Sequence, residues 1–244
     1  MEKKSDILVA LLVIGLIAVS IILAVTNRIP SPAAPSTITA TGQSQVTIEP
    51  DKVDVYLRIE TVKPTATAAR DDNAETANAV IAALTTGGIP RADIQTDQYS
   101  LYRKEEYNPK TQTVESEGYA VYHVLRVTSK DTSLASSIID TGIGAGANGV
   151  DRITFGLTKQ KELQVNAQAV QAAAGIAADK VASLAQNLKV TLGGIVSVSE
   201  SNTNYIPFDY ASNALAGEKA ATNILPQNIN VNGYVTVVYE ISGR

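Results

Sequence analysis

Thr141 to Leu157 reads TGIGAGANGVDRITFGL. Gly144, Gly146 and Gly149 spell G-x-G-x-x-G, a string that binds phosphate when a strand precedes it and a helix N-terminus follows. Here the order is reversed. Asp131 to Ile143 has helical spacing and runs into the glycines, and Val150 to Leu157 alternates and leaves them. The run therefore reads as a helix exit and a tight turn, where glycine tolerates positive φ. Asn148 either takes a left-handed position or caps locally. No nucleotide cofactor is expected.

Working outward, Thr37 to Ile48 reads as a strand and Glu49-Pro50-Asp51 as a turn. From Asp51 to Val62, Val53, Val55, Leu57 and Ile59 alternate with Asp54, Tyr56, Arg58 and Glu60, the pattern of a half-buried strand. Thr65 to Thr86 is helical, with Ala66, Ala69, Asn73, Ala77, Val80, Ile81 and Leu84 recurring at three- and four-residue steps and Gly87-Gly88 as the stop. Asp93 to Tyr107 and Val114 to Thr128 form a long hairpin around Asn108-Pro109-Lys110-Thr111. Beyond the opening segment, Gln160 to Leu188 is an Ala-rich helix. Its expected core face holds Val165, Ala169, Ala172, Ile176, Val181, Leu184 and Leu188, and Gly193-Gly194 closes the segment. Ile195 to Glu200 and Asn230 to Ile241 are strands. Ser201 to Gln227 is an Asn/Tyr/Ala-rich insertion without a period.

A duplication emerges. Val53-Asp54 and Val150-Asp151 each open a strand, followed by a helix, a glycine pair and two strands. The last strand of each unit carries Gly118-Tyr119 or Gly233-Tyr234. The expected fold class is α+β, with two β-α-β-β units: repeat one at about 51–129, a linker helix at 131–149 and repeat two at about 150–242. Strand-helix-strand crossovers predict mixed sheets, with helices covering one face.

Ile7 to Val25 is about 19 residues without a charge, close to the ~20 that span a bilayer. It is longer than the apolar core of a cleaved secretory signal. Residues 1–28 thus read as an N-terminal transmembrane anchor, with a cleaved signal or a buried core helix as the alternatives, 29–36 as a Pro-rich tether and 37–244 as the folded body. Lys3 and Lys4 precede the span and Arg28 follows it, which places the body outside the cytoplasm.

The 244 residues include no cysteine and one histidine, and the formal charge is −4. These values exclude disulfides, thiolate chemistry and the usual zinc sites, and give no basic field for nucleic acid. His123 lies on the apolar side of its strand, either as a partly buried hydrogen-bonded ring, or as a pH-sensitive group or one ligand in an oligomer interface. Asp71-Asp72 suits a solvated first turn. Glu105-Glu106 and Glu115/Glu117 sit near the hairpin tip, as charges that discourage edge pairing or as a weak cation or partner surface. No catalytic, cofactor-binding or metal residue is assigned. Tyr99, Tyr102, Tyr107, Tyr205 and Tyr210 are the candidate interface residues, since tyrosine is enriched where subunits or ligands meet.

The ordered set Gly42, Pro50-Asp51, Ala69, Asn73, Leu84, Gly88-Ile89, Asp93-Ile94, Tyr99, Gly118-Tyr119, Gly146-Ala147-Asn148, Val150, Ile153, Phe155, Leu157, Lys180, Leu192-Gly193 and Ile195 resembles the SIMPL-domain family. These are secreted, periplasmic or membrane-attached envelope proteins, some described as stress-defence or immunogenic. The resemblance covers about residues 37–242. It implies no catalytic residues, and it implies self-assembly, since some members resemble ring or channel-like homo-oligomers. His123 departs from the small polar residue the family pattern leads one to expect. The function expected is a non-enzymatic, membrane-anchored extracytoplasmic domain that self-assembles and supports envelope integrity or stress tolerance. The alternatives are a binding module for a small envelope ligand, glycan or unfolded client, and a carboxylate-dependent enzyme.

Overall fold

The computed structural model describes residues 14–20, 35–109, 112–201, 207–211 and 224–243. Residues 14–20 form a helical segment, α1, with exposed apolar side chains. No described helix is long and apolar enough to cross a membrane. The rest of the Ile7–Val25 span and most of the tether lie outside the described residues.

The body runs β1 (Thr37–Ile48), β2 (Lys52–Lys63), α2 (Ala66–Thr86), β3 (Ile94–Asn108), β4 (Thr113–Ser129), α3 (Ala135–Gly144), β5 (Gly149–Gly156), α4 (Lys159–Leu188), β6 (Val190–Ser201), β7 (Phe208–Ala211) and β8 (Ile229–Gly243). A five-stranded sheet has the order β3-β4-β2-β5-β7, and a three-stranded sheet has the order β1-β8-β6. The class is α+β. The sheets are not mixed, as the crossovers suggested, because every paired neighbour is antiparallel. The crossover through α2 does carry β3 parallel to β2, but β4 inserts between them and pairs with both. The second crossover leaves its sheet altogether. β5 pairs with β2, while β6 joins β8 and β1 in the other sheet.

The alternation in β2 is realised, with Val53, Val55, Leu57 and Ile59 at most 1% exposed beneath α2 and α3. Its other face is more covered than a half-buried strand requires. The Arg152 guanidinium lies 3.7 Å over the Tyr56 ring, a cation–π contact. Asp54 accepts from Thr128 Oγ1 at 2.6 Å and pairs with Lys52 at 3.0 Å.

In α4 the buried stripe is Val165, Ala169, Ala173, Ala177, Val181 and Ala185, spaced four apart. Ala172, Ile176, Leu184 and Leu188, expected inside, are exposed. The reason is the sheet beneath. Gly42 and Gly233 remove the side chains that would hold the helix away, so only small residues fit between helix and strand backbone. Lys189, at φ +57, ends α4. Gly193-Gly194 therefore lies inside β6, at a shift in its register with β8, rather than closing the helix.

Asp51 ties the two sheets together. Its backbone N–H donates to Gly156 O at 3.1 Å. Its carboxylate accepts from Thr158 N at 2.6 Å and from Thr158 Oγ1 at 2.7 Å. Thr158 in turn caps α4 by accepting from Lys161 N. Asp51→Ala is expected to cost about 1–3 kcal/mol by stripping charge-assisted bonds from this junction. Denaturant unfolding of the full chain checks this, and a cost below about 0.5 kcal/mol would contradict it.

The opening glycine run behaves as a turn. Gly146 takes the positive φ, +116. Asn148 neither takes a left-handed φ nor caps locally; it reaches across to β2, where its side chain accepts from Glu60 N at 2.9 Å and donates to Glu60 O at 2.6 Å, while its own N–H donates to Arg58 O at 2.9 Å. In effect Asn148 extends the pairing of β5 with β2 by side-chain chemistry.

Candidate functional site

The β3–β4 hairpin outruns the sheet that supports it. β2 follows β4 from Ser129 only as far as Tyr119, opposite Lys63. Beyond that point β3 and β4 pair with each other alone, out to Asn108 opposite Thr113. Gly118 marks the departure. Its φ is +113, and a Cβ there would stand 2.4 Å from Lys63 O, so β4 passes this carbonyl only with glycine. The register also shifts between Lys104 and Glu105, which bends the ribbon as it leaves.

The arm exposes apolar surface. Tyr107 and Val114 are cross-strand partners near its tip and are 59% and 63% exposed. Tyr99, Leu101 and Tyr102 are exposed nearer the base. The carboxylates expected at the tip are partly neutralised. Arg103 pairs with Glu105 at 3.4 Å and Lys104 with Glu117 at 3.1 Å. Glu106 hydrogen-bonds Glu117, which pushes the Glu106 carboxyl above its ordinary pKa and holds that of Glu117 below its own. The side chain of Glu115 lies outside the described residues. Among the described residues no group of three or more His, Asp or Glu side chains is placed to hold a metal.

Of the five candidate tyrosines, Tyr99, Tyr102 and Tyr107 are all on β3, Tyr107 on the arm and the other two at its base, where β4 still pairs with β2. Tyr210 is on β7, at the opposite edge of the five-stranded sheet, and its side chain lies outside the described residues. Tyr205 lies outside them as well. The five do not gather into one described surface.

The base of the arm is held by a polar network that the helical and strand periods did not reveal. His123 is opposite Ile59 on one side and Tyr99 on the other. Its Nδ1 is 3.0 Å from Asn73 Oδ1, and its Nε2 is 3.0 Å from Thr96 Oγ1. Asn73, fully buried on α2, donates from Nδ2 to Ile59 O at 3.0 Å and to Thr61 Oγ1 at 3.2 Å. That leaves Oδ1 as acceptor, so Nδ1 of His123 carries the proton and Nε2 accepts from the Thr96 hydroxyl. Tyr99 meets the ring edge-on, with centroids 5.2 Å apart. Burial lowers the pKa of His123 below its ordinary value. The signal available in the sequence was a lone histidine on an apolar strand face and an asparagine in step with alanines on a helix face.

Two antiparallel sheets, one packed against α4 through a glycine–alanine contact and the other extended by a tyrosine-bearing hairpin, define a scaffold with a projecting arm. A family model described as "SIMPL: Protein of unknown function (DUF541)" matches residues 38–239, and the chain belongs to the SIMPL family. The chain is similar to the 26 kDa periplasmic immunogenic proteins of Brucella melitensis and Brucella abortus, 28% identical over 218 residues that cover 85% of each chain. It is also similar to the uncharacterized protein YggE of Edwardsiella ictaluri, 26% identical over 217 residues covering 86% of this chain and 89% of the other.

Proposed function

We propose that this chain is a non-enzymatic extracytoplasmic domain, tethered to the membrane by Ile7 to Val25, that assembles with copies of itself through the β3–β4 arm in support of the cell envelope. The arm is the observation that carries the reading. An isolated two-stranded ribbon is marginal in water and needs a third strand or a packed face. Here the ribbon presents Tyr107 and Val114 to solvent with no such support among the described residues. A second copy supplies what is missing. The extracytoplasmic setting draws on the word periplasmic in the names of the two Brucella relatives, and the tether on the uncharged N-terminal run.

The non-enzymatic part rests on the carboxylates. A general acid or base needs a carboxyl held apart from partner charge in a cleft. The buried carboxylate on β2, Asp54, is instead satisfied by Lys52 and Thr128. A ligand-binding module would favour an apolar pocket rimmed by tyrosine. The cleft of about 400 Å³ beside Tyr107 is lined by Glu106, Asn108, Ser116 and Glu117, and the groove of about 470 Å³ on α4, beside Ile176 and Leu184, has no tyrosine.

Light scattering of the full chain in mild detergent tests the proposal. The wild type is expected to give a mass of several copies, and the double variant Tyr107→Ser, Val114→Thr a mass shifted toward one copy with unchanged circular dichroism. A strict monomer at high concentration, or a double variant that assembles like the wild type, rules out the arm as the contact.

A further inference from the structure

The single histidine joins three elements at the point where the arm begins: α2 through Asn73, β4 through its own backbone, and β3 through Thr96 and Tyr99. Both ring nitrogens are engaged in the neutral form, one as donor and one as acceptor. A second ring proton on Nε2 would point at Thr96 Oγ1, and the hydroxyl would have to turn its own proton away from the ring. Among the described residues the added charge would have no counterion. From β2 the ring meets Ile59, and Thr61 through Asn73. From α2 it meets Asn73. From β3 it meets Thr96 and the uncharged Tyr99. The nearby charges are engaged elsewhere: Lys63 with Asp72 at 3.2 Å, Arg70 with Asp71 at 2.7 Å, Arg103 with Glu105 and Ser116, and Asp97 with Arg152 at 3.6 Å.

We propose that His123 is an acid-sensitive latch, whose protonation releases β3 around Thr96 to Tyr99 from α2 and β4 and so loosens the root of the hairpin arm. Burial lowers the folded-state pKa, so the folded form binds the proton less readily than the open form. The latch is therefore fully closed above the open-state value, about 6.5. Its hold weakens as pH falls from there toward the folded-state value, below which no further loss occurs. The latch acts through this network alone, whether or not the arm carries assembly. If the arm does, acid loosens the assembly from its root.

Hydrogen exchange of the full chain in mild detergent, corrected for the intrinsic pH dependence, reads the latch directly. Protection across Ile94–Leu101 is expected to fall by up to about tenfold for each pH unit in that window. His123→Gln, which hydrogen-bonds but does not titrate, is expected to show flat protection. If that variant fails to fold, His123→Asn replaces it. The sole histidine also gives one ring resonance, expected to titrate below 6.5. Flat wild-type protection, an equal fall in the non-titrating variant, or a ring that titrates at or above the ordinary value would each overturn the proposal.

Discussion

Gly42→Ala is expected to destabilise the protein by about 4 kcal/mol, in the range reserved for severe core defects. Gly42 sits on β1 opposite Val235 with its α-carbon facing α4. A Cβ there would lie 1.9 Å from Ala173 O and 2.6 Å from Ala177 N. Both obstacles are helix backbone, so no rotamer change relieves them. The helix must lift by more than 1 Å to restore ordinary contact. Lifting it opens the packing of Ala169, Ala173 and Ala177, which are essentially unexposed. It also stretches the 2.6 Å bond from Ser44 Oγ to Ala169 O. Overpacking of a core by one methyl ordinarily costs 1–3 kcal/mol, and rigid backbone on the far side places this position above that range. Stability of domains is about 5–15 kcal/mol, so a large part is at stake. Denaturant unfolding of the full chain measures it, with exposed Thr41→Ala as the neighbouring control. A loss under about 1 kcal/mol would mean that helix and strand are not in backbone contact.

This contact also shows where the chain could be read and where it could not. The strand period of β2 and the stop at Gly87-Gly88 are local, and both were legible from spacing. The four-residue alanine stripe of α4 was not. Hydropathy favours Ile176, Leu184 and Leu188 as core residues, yet these are exposed, because the choice is made by Gly42 and Gly233 on strands far away in sequence. Likewise the Val150 strand was legible as a strand, but its partner was not. Its pairing with β2 is held by Asn148 on Glu60 and by Asp51 on Thr158, contacts that span 88 and 107 residues. The turn reading of the glycine run succeeded because helix, turn and strand order is a local property. The tyrosines were a compositional inference. Three of the five fall on one strand, because β3 carries all three, whereas Tyr210 is drawn to the far edge by β7 pairing with β5.

The second large effect is expected at Asn73. Asn73→Leu should cost about 3 kcal/mol, within the range for a buried polar network that loses one member. The asparagine is unexposed and makes three bonds, to Ile59 O, Thr61 Oγ1 and His123 Nδ1. A leucine of similar bulk fills the volume but leaves the Nδ1–H of His123 and the Thr61 hydroxyl buried without that partner. The penalty thus comes from stranded groups rather than from lost packing. That distinction can be tested with the double variant Asn73→Leu, His123→Leu. Removing both ends of a buried hydrogen bond is far less costly than removing one, so the second substitution should recover about 1–2 kcal/mol of the first. The fall in stability that begins just below the ordinary histidine value should also vanish, since the group whose charge burial opposes is gone, leaving only the loss from carboxylates at lower pH. Simple addition of the two single costs would show that Asn73 and His123 act independently and that the bond between them contributes nothing to the base of the arm.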